Sequence, residues 1–131
     1  MPTSPATAFE KPPLVASPAS RLELVVRRVG DVAILNLMGS LTSDETTHLL
    51  ERVQELADGE TKKFVVNLAQ VVYMDSSGVG ALLAIDKSIQ AAGCKCKFAG
   101  APPQVRRTLQ RVNLLKVFEL FGDEGAALSS F

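Results

Sequence analysis

The chain has no tryptophan, one tyrosine, one histidine and two cysteines in 131 residues. Each scarcity closes off a class of function. Single-strand nucleic acid binders stack bases on aromatic rings set among basic residues. Here the six phenylalanines show no such interleaving. Fourteen basic and fourteen acidic side chains leave no net field to draw a phosphate backbone or an acidic lipid surface, so no nucleic acid partner is expected. No run approaches the ~20 apolar residues that span a bilayer, and the first residues carry neither a basic n-region nor an apolar h-region. Direct membrane insertion and export are therefore not expected, and a cytoplasmic location is. Cys94 and Cys96 stand too close for an ordinary disulfide framework, which suits a reducing compartment. They are also only half a zinc site, so strand packing rather than metal is their expected role.

The chain is short enough for one domain. Residues 1–20 hold five of its seven prolines among Ser and Ala, without a hydrophobic period. They read as a disordered tail, with the domain over residues 21–131. Leu22 to Val29 reads as a strand, Gly30-Asp31 as a two-residue hairpin turn, and Val32 to Met38 as a strand covered on both faces. Thr42-Ser43-Asp44-Glu45 offers a capping box, after which Leu49, Leu50, Val53, Leu56 and Ala57 fall at helical spacing. Phe64 to Leu68 is a third strand. Val79, Leu82, Ile85, Ile89 and Ala92 line a second helix that Gly93 stops. Cys94, Cys96 and Phe98 alternate with Lys95 and Lys97, which predicts a fourth strand with one wetter face. Pro102-Pro103 opens a third helix with Val105, Leu109 and Val112 as its apolar stripe. Lys116 to Phe121 and Asp123 to Leu128 read as a last short strand and a closing helical turn. This alternation predicts an α/β fold: a small, mostly parallel mixed sheet with an N-terminal β-hairpin and about four helices.

The most informative stretch is Met74-Asp75-Ser76-Ser77-Gly78-Val79-Gly80, between the third strand and the second helix. Loops at strand C-termini are where α/β folds usually meet ligands. Three readings compete. Asp or Ser before a helix caps it, and the glycines allow a tight turn and close packing. A nucleophile elbow fails, because Met74 stands where glycine is needed and the single histidine, His48, lies on the first helix. A nucleotide cradle fails because no Gly-Lys-Ser/Thr follows. The third reading is a phosphate acceptor, since a hydroxyl at a helix N-terminus sits beside free amides and the positive end of the macrodipole. A phosphoryl group there would add about −1.5 to −2 charges and spoil a partner's contact without unfolding the domain.

That stretch resembles the signature of the anti-sigma factor antagonists, whose domain is called STAS. Phe64-Val65-Val66-Asn67-Leu68 is similar to the family's run into the loop, and Ala101 to Leu109 to its Pro-initiated basic helix. The resemblance runs from about Leu22 onward and implies a binding module, not an enzyme, with no cofactor and no metal. Such a protein, unphosphorylated, binds an anti-sigma factor that is also an ATP-dependent serine kinase, and so frees a sigma factor. The kinase modifies the first serine after the Asp, here Ser76, with Ser77 as second choice, and a separate serine phosphatase reverses it. The implied contact surface is Thr42, Ser43, Met74, Asp75, Ser76, Ser77, Gly78, Val79 and Gly80, with Met74 as its anchor. Many phosphorylatable members carry Asp where Thr42 stands, and Thr42 cannot supply a carboxylate beside the acceptor. Two alternatives use the same helix without phosphate chemistry: a docking subunit of a membrane lipid-transport ATPase, and a scaffold in a stress complex. Nothing in the sequence demands more than a monomer.

Overall fold

The computed structural model describes residues 22–42 and 46–131. The expected tail, the capping box beyond Thr42, and Ser43 lie outside them. In chain order the elements are β1 (Leu22–Val29), β2 (Val32–Leu41), α1 (Thr46–Ala57), β3 (Lys63–Met74), α2 (Ser76–Ala91), β4 (Lys95–Ala99), α3 (Pro103–Arg111), β5 (Leu120–Phe121) and α4 (Glu124–Ser129). The strands form one sheet in the order β1-β2-β3-β4-β5, antiparallel at β1–β2 and parallel elsewhere. The expected mixed sheet, hairpin and four helices are all present. Gly30 takes φ +62°, as the turn requires.

Strand alternation divides the interior. Ala33, Leu35 and Leu37 of β2 and Phe64, Val66 and Leu68 of β3 face one side, against Val53 of α1, Leu82, Ile85 and Ile89 of α2 and Leu109 of α3. Each fully buried Val, Leu, Ile or Phe among them contributes about 1.5–3 kcal/mol by leaving water. Val32, Ile34, Val65 and Ala99 face the other side, where Ala127 of α4 covers them. Helix α4 is further fixed by Glu124 Oε1, which accepts from Arg27 of β1 and, at 2.9 Å, from Asn67 Nδ2 of β3.

Four expectations are corrected. Gly39, Ser40 and Leu41 continue β2, because β3 also continues past Leu68 and pairs with them through two register shifts. Lys97 is not on a wet face. Its stem is buried while its ammonium reaches Glu119 Oε2 at 3.0 Å and lies 5.4 and 5.0 Å from the ring centroids of Phe121 and Phe131. The last strand shrinks to Leu120–Phe121. Val112 lies outside the α3 stripe, beyond the helix end and exposed, because Asn113 enters the left-handed region at φ +62° and turns the chain.

Candidate functional site

The continuation of β3 delivers the chain to the Asp75 loop in a fixed position. Leu41 pairs with Met74, and the Asp75 amide donates to the Leu41 carbonyl at 3.4 Å. Thr42 therefore lies beside the start of α2. Met74 is buried.

Asp75 is the cap. Its backbone is extended (φ −104°, ψ −171°) and its Oδ1 accepts from the Gly78 amide at 3.0 Å. This satisfies one of the donors that a helix N-terminus leaves unpaired and sets a carboxylate against the positive end of the dipole. The capping reading of the loop thus belongs to the aspartate and leaves both serines free of that duty. Ser76 and Ser77 open the helix, are exposed, and have no hydroxyl hydrogen bond to another described residue.

The glycines differ in role. A Cβ on Gly78 would lie 2.2 Å from the Leu41 carbonyl oxygen and 2.7 Å from Met74 Cγ, so Gly78 lets α2 seat directly on the end of β2. Gly80 has open space around it. Gly78 and Val79 face inward, so the outward surface of the loop consists of Ser76, Ser77 and Gly80, with Thr42 half-buried at its margin and Asp75 half-buried between the layers.

The sequence reading missed the apolar flank. Val72 and Tyr73, at 48% and 55% exposure, precede the loop as an outward-facing pair between buried Val71 and Met74. The unbroken Val-Val-Tyr-Met run was the available signal, but only the bulged register shows which two members point out. The Val72 carbonyl accepts from Gln104 Nε2, which ties the start of α3 to this flank. His48 is exposed on α1, near Glu51 rather than the loop. Cys94 and Cys96 are buried free thiols, with Cys94 Sγ reaching the carbonyls of Thr61 at 3.5 Å and Ala57 at 3.7 Å. Burial, and then Asp86, hold the Cys96 thiol well above its usual pKa, so it stays protonated. Among the described residues no helix is long and apolar enough to cross a membrane.

The STAS domain family model matches residues 23–127. A curated relative, an anti-sigma F factor antagonist of Paenibacillus polymyxa, is 28% identical over 111 residues, covering 82% of this chain and 93% of that protein. Among solved structures, an anti-sigma factor antagonist from Mycobacterium paratuberculosis superposes with a TM-score of 0.77 at 18% identity, over 88% of this chain and 97% of that one. The Bacillus cell fate determinant SpoIIAA in its phosphorylated form superposes with a TM-score of 0.64 at 19% identity, over 82% and 98%. With the family model spanning most of the chain and the capped strand-to-helix loop in place, the chain belongs to the STAS domain family, the family of the anti-sigma factor antagonists.

Proposed function

We propose that this protein is a phosphorylation-switched anti-sigma factor antagonist, in which the Asp75 loop and the start of α2 bind an anti-sigma factor and Ser76 is the acceptor. The observation that carries this reading is the free Ser76 hydroxyl on the first turn of a helix already capped by its neighbour. A phosphoryl group on Ser76 sits where backbone amides and the dipole favour it, so the fold tolerates the modification. It also puts a dianion on the surface that a partner would have to desolvate, which opposes formation of the complex. A relative named as an antagonist and a fold neighbour described in phosphorylated form support the same reading. The protein is then a substrate and a binding module rather than a catalyst. It acts in the cytoplasm, between an ATP-dependent serine kinase that is also the anti-sigma factor and a separate serine phosphatase. Binding frees the sigma factor, and modification ends the binding. Thr42 supplies no carboxylate beside the acceptor, which leaves that of Asp75, so the kinase meets a less acidic site than in many relatives.

The test is a host-lysate pull-down with Ser76→Ala and Ser76→Asp baits, followed by titration of the captured protein. We expect an ATP-binding anti-sigma factor on the Ala bait, and at least hundredfold weaker binding to the Asp bait, because a charge enters a desolvated contact costing about 3 kcal/mol. Equal capture of one transport ATPase by both baits would replace the switch with static docking.

A further inference from the structure

Strand β1 is the outer edge of the sheet, eight residues long, with β2 on one side and no described strand on the other. Such edges recruit other strands, and charged side chains commonly guard them. The charges here are arranged differently. We propose that β1 pairs antiparallel with β1 of a second copy about a two-fold axis through Val25, making a homodimer with a continuous sheet.

The hydrogen-bond phase comes from the hairpin. Val29 and Val32 flank a two-residue turn and so form a hydrogen-bonded pair, with regular register down to Leu22–Gly39. Alternation then directs the backbone groups of Val29, Arg27, Val25 and Glu23 toward β2. Those of Arg28, Val26, Leu24 and Leu22 point outward. An antiparallel copy must match outward groups with outward groups. One register that does so sets Leu24 against Val26 of the second copy, Val26 against its Leu24, and Val25 against its Val25.

Side chains then meet as complements. Glu23, Val25 and Arg27 share the exposed face of β1. In this register Glu23 lies opposite Arg27 of the second copy, Val25 opposite Val25, and Arg27 opposite Glu23. Two ion pairs thus flank an apolar pair, and each contributes favourably to strand association. Sliding by two residues in either direction removes both ion pairs. Val25, 45% exposed in the single chain, becomes covered. Arg27 already serves Glu124, and its five donors allow it to serve Glu23 of the second copy as well. A two-fold axis makes the interface isologous and closed, so it stops at two copies. The contact is one strand wide, which implies a concentration-dependent dimer rather than an obligate one. The Ser76 loop follows β3, two strands in from this edge, and each copy keeps its own.

Sedimentation velocity on the full chain across a concentration series, joined with directed cysteine cross-linking, tests this. Val25→Cys is expected to form a disulfide-linked dimer under mild oxidation, since a non-hydrogen-bonded pair brings Cα atoms to about 4.5 Å, within disulfide range of about 4.4–6.8 Å. Val29→Cys, equally exposed but off the axis, should not. Glu23→Arg should weaken self-association roughly tenfold by setting like charges opposite each other twice. Mixing Glu23→Arg with Arg27→Glu should restore pairing as a heterodimer, because each then opposes unlike charge. A monomer at every concentration, equal cross-linking at positions 25 and 29, or a dimer indifferent to Glu23→Arg would each overturn the proposal. Should Arg27→Glu fail to fold, the cysteine pair alone decides the matter.

Discussion

Replacing Gly78 by alanine would place a methyl carbon 2.2 Å from the Leu41 carbonyl oxygen and 2.7 Å from Met74 Cγ. The Met74 side chain can rotate away, but the carbonyl cannot. It belongs to the last residue of β2, paired with Met74 of β3 and bonded to the Asp75 amide. Relief therefore requires α2 to lift from the sheet end, stretching the cap bond to Asp75 and loosening Val79 and Leu82 in the core beneath. Overpacking of this kind costs about 1–3 kcal/mol, and a weakened cap adds about 1 kcal/mol. Against this, alanine in a helix is favoured over glycine by about 1 kcal/mol. The net expectation is destabilisation of about 2 kcal/mol, a fall in Tm of roughly 8 °C for a domain of this size. Gly80 is the internal control. It occupies the same helix turn with nothing near its Cβ position, so Gly80→Ala should stabilise by about 0.5–1 kcal/mol. Urea unfolding followed by far-UV circular dichroism reads both variants on one scale. A Gly78→Ala midpoint equal to or above wild type would refute the seating of α2 on Leu41 and the argument built on it.

The remaining predictions concern the cap and acid. Asp75→Ala should cost about 1 kcal/mol through loss of the bond to the Gly78 amide, whereas Ser76→Ala should change stability by a few tenths at most; the reverse order in thermal melts would return the capping role to the serine. Donation from Arg27, then Asn67, holds the Glu124 carboxyl below its usual range despite partial burial. A depressed carboxylate gives stability that is complete above the unfolded pKa and is lost as pH falls through the folded one. Tm should therefore hold from pH 7 to 5 and decline below about pH 4.3. Arg27→Met should blunt that part of the decline, and an unaltered acid profile would show that the Arg27–Glu124 contact carries no linkage.

What could be read in advance was what local pattern determines. The hairpin was legible because Gly30-Asp31 interrupts two apolar runs, and α2 because Val79, Leu82, Ile85 and Ile89 recur at helical spacing between turn residues. The partner-dependent features were not. The extension of β3 through Ala69 and Gln70 has no clean alternation, since two register shifts against β2 break it. Lys97 reads as solvated until Phe121 and Phe131, distant in sequence, bring their rings to its ammonium and Glu119 pairs with it. At the loop, the pattern located the site but could not choose between Asp75 and the serines as cap, a choice that rests on one backbone torsion and a 3.0 Å contact. Val72 and Tyr73 escaped notice because an apolar run before a loop looks like core, and only the strand pairing shows two of its members turned outward.

The seating of Gly78 on Leu41 also bears on how quickly and with what entropy a partner could attach. The loop joins the ends of two strands to one helix's first turn at once, so strand pairing, the Asp75–Leu41 bond and the Gly78 cap restrain its backbone before any partner arrives. A partner bound there as proposed would dock as a rigid body, without the ordering entropy that a loose loop forfeits at each encounter. Its rate is then set by diffusion and orientation, and its heat capacity change by the surface covered, with little contribution from folding of the loop itself.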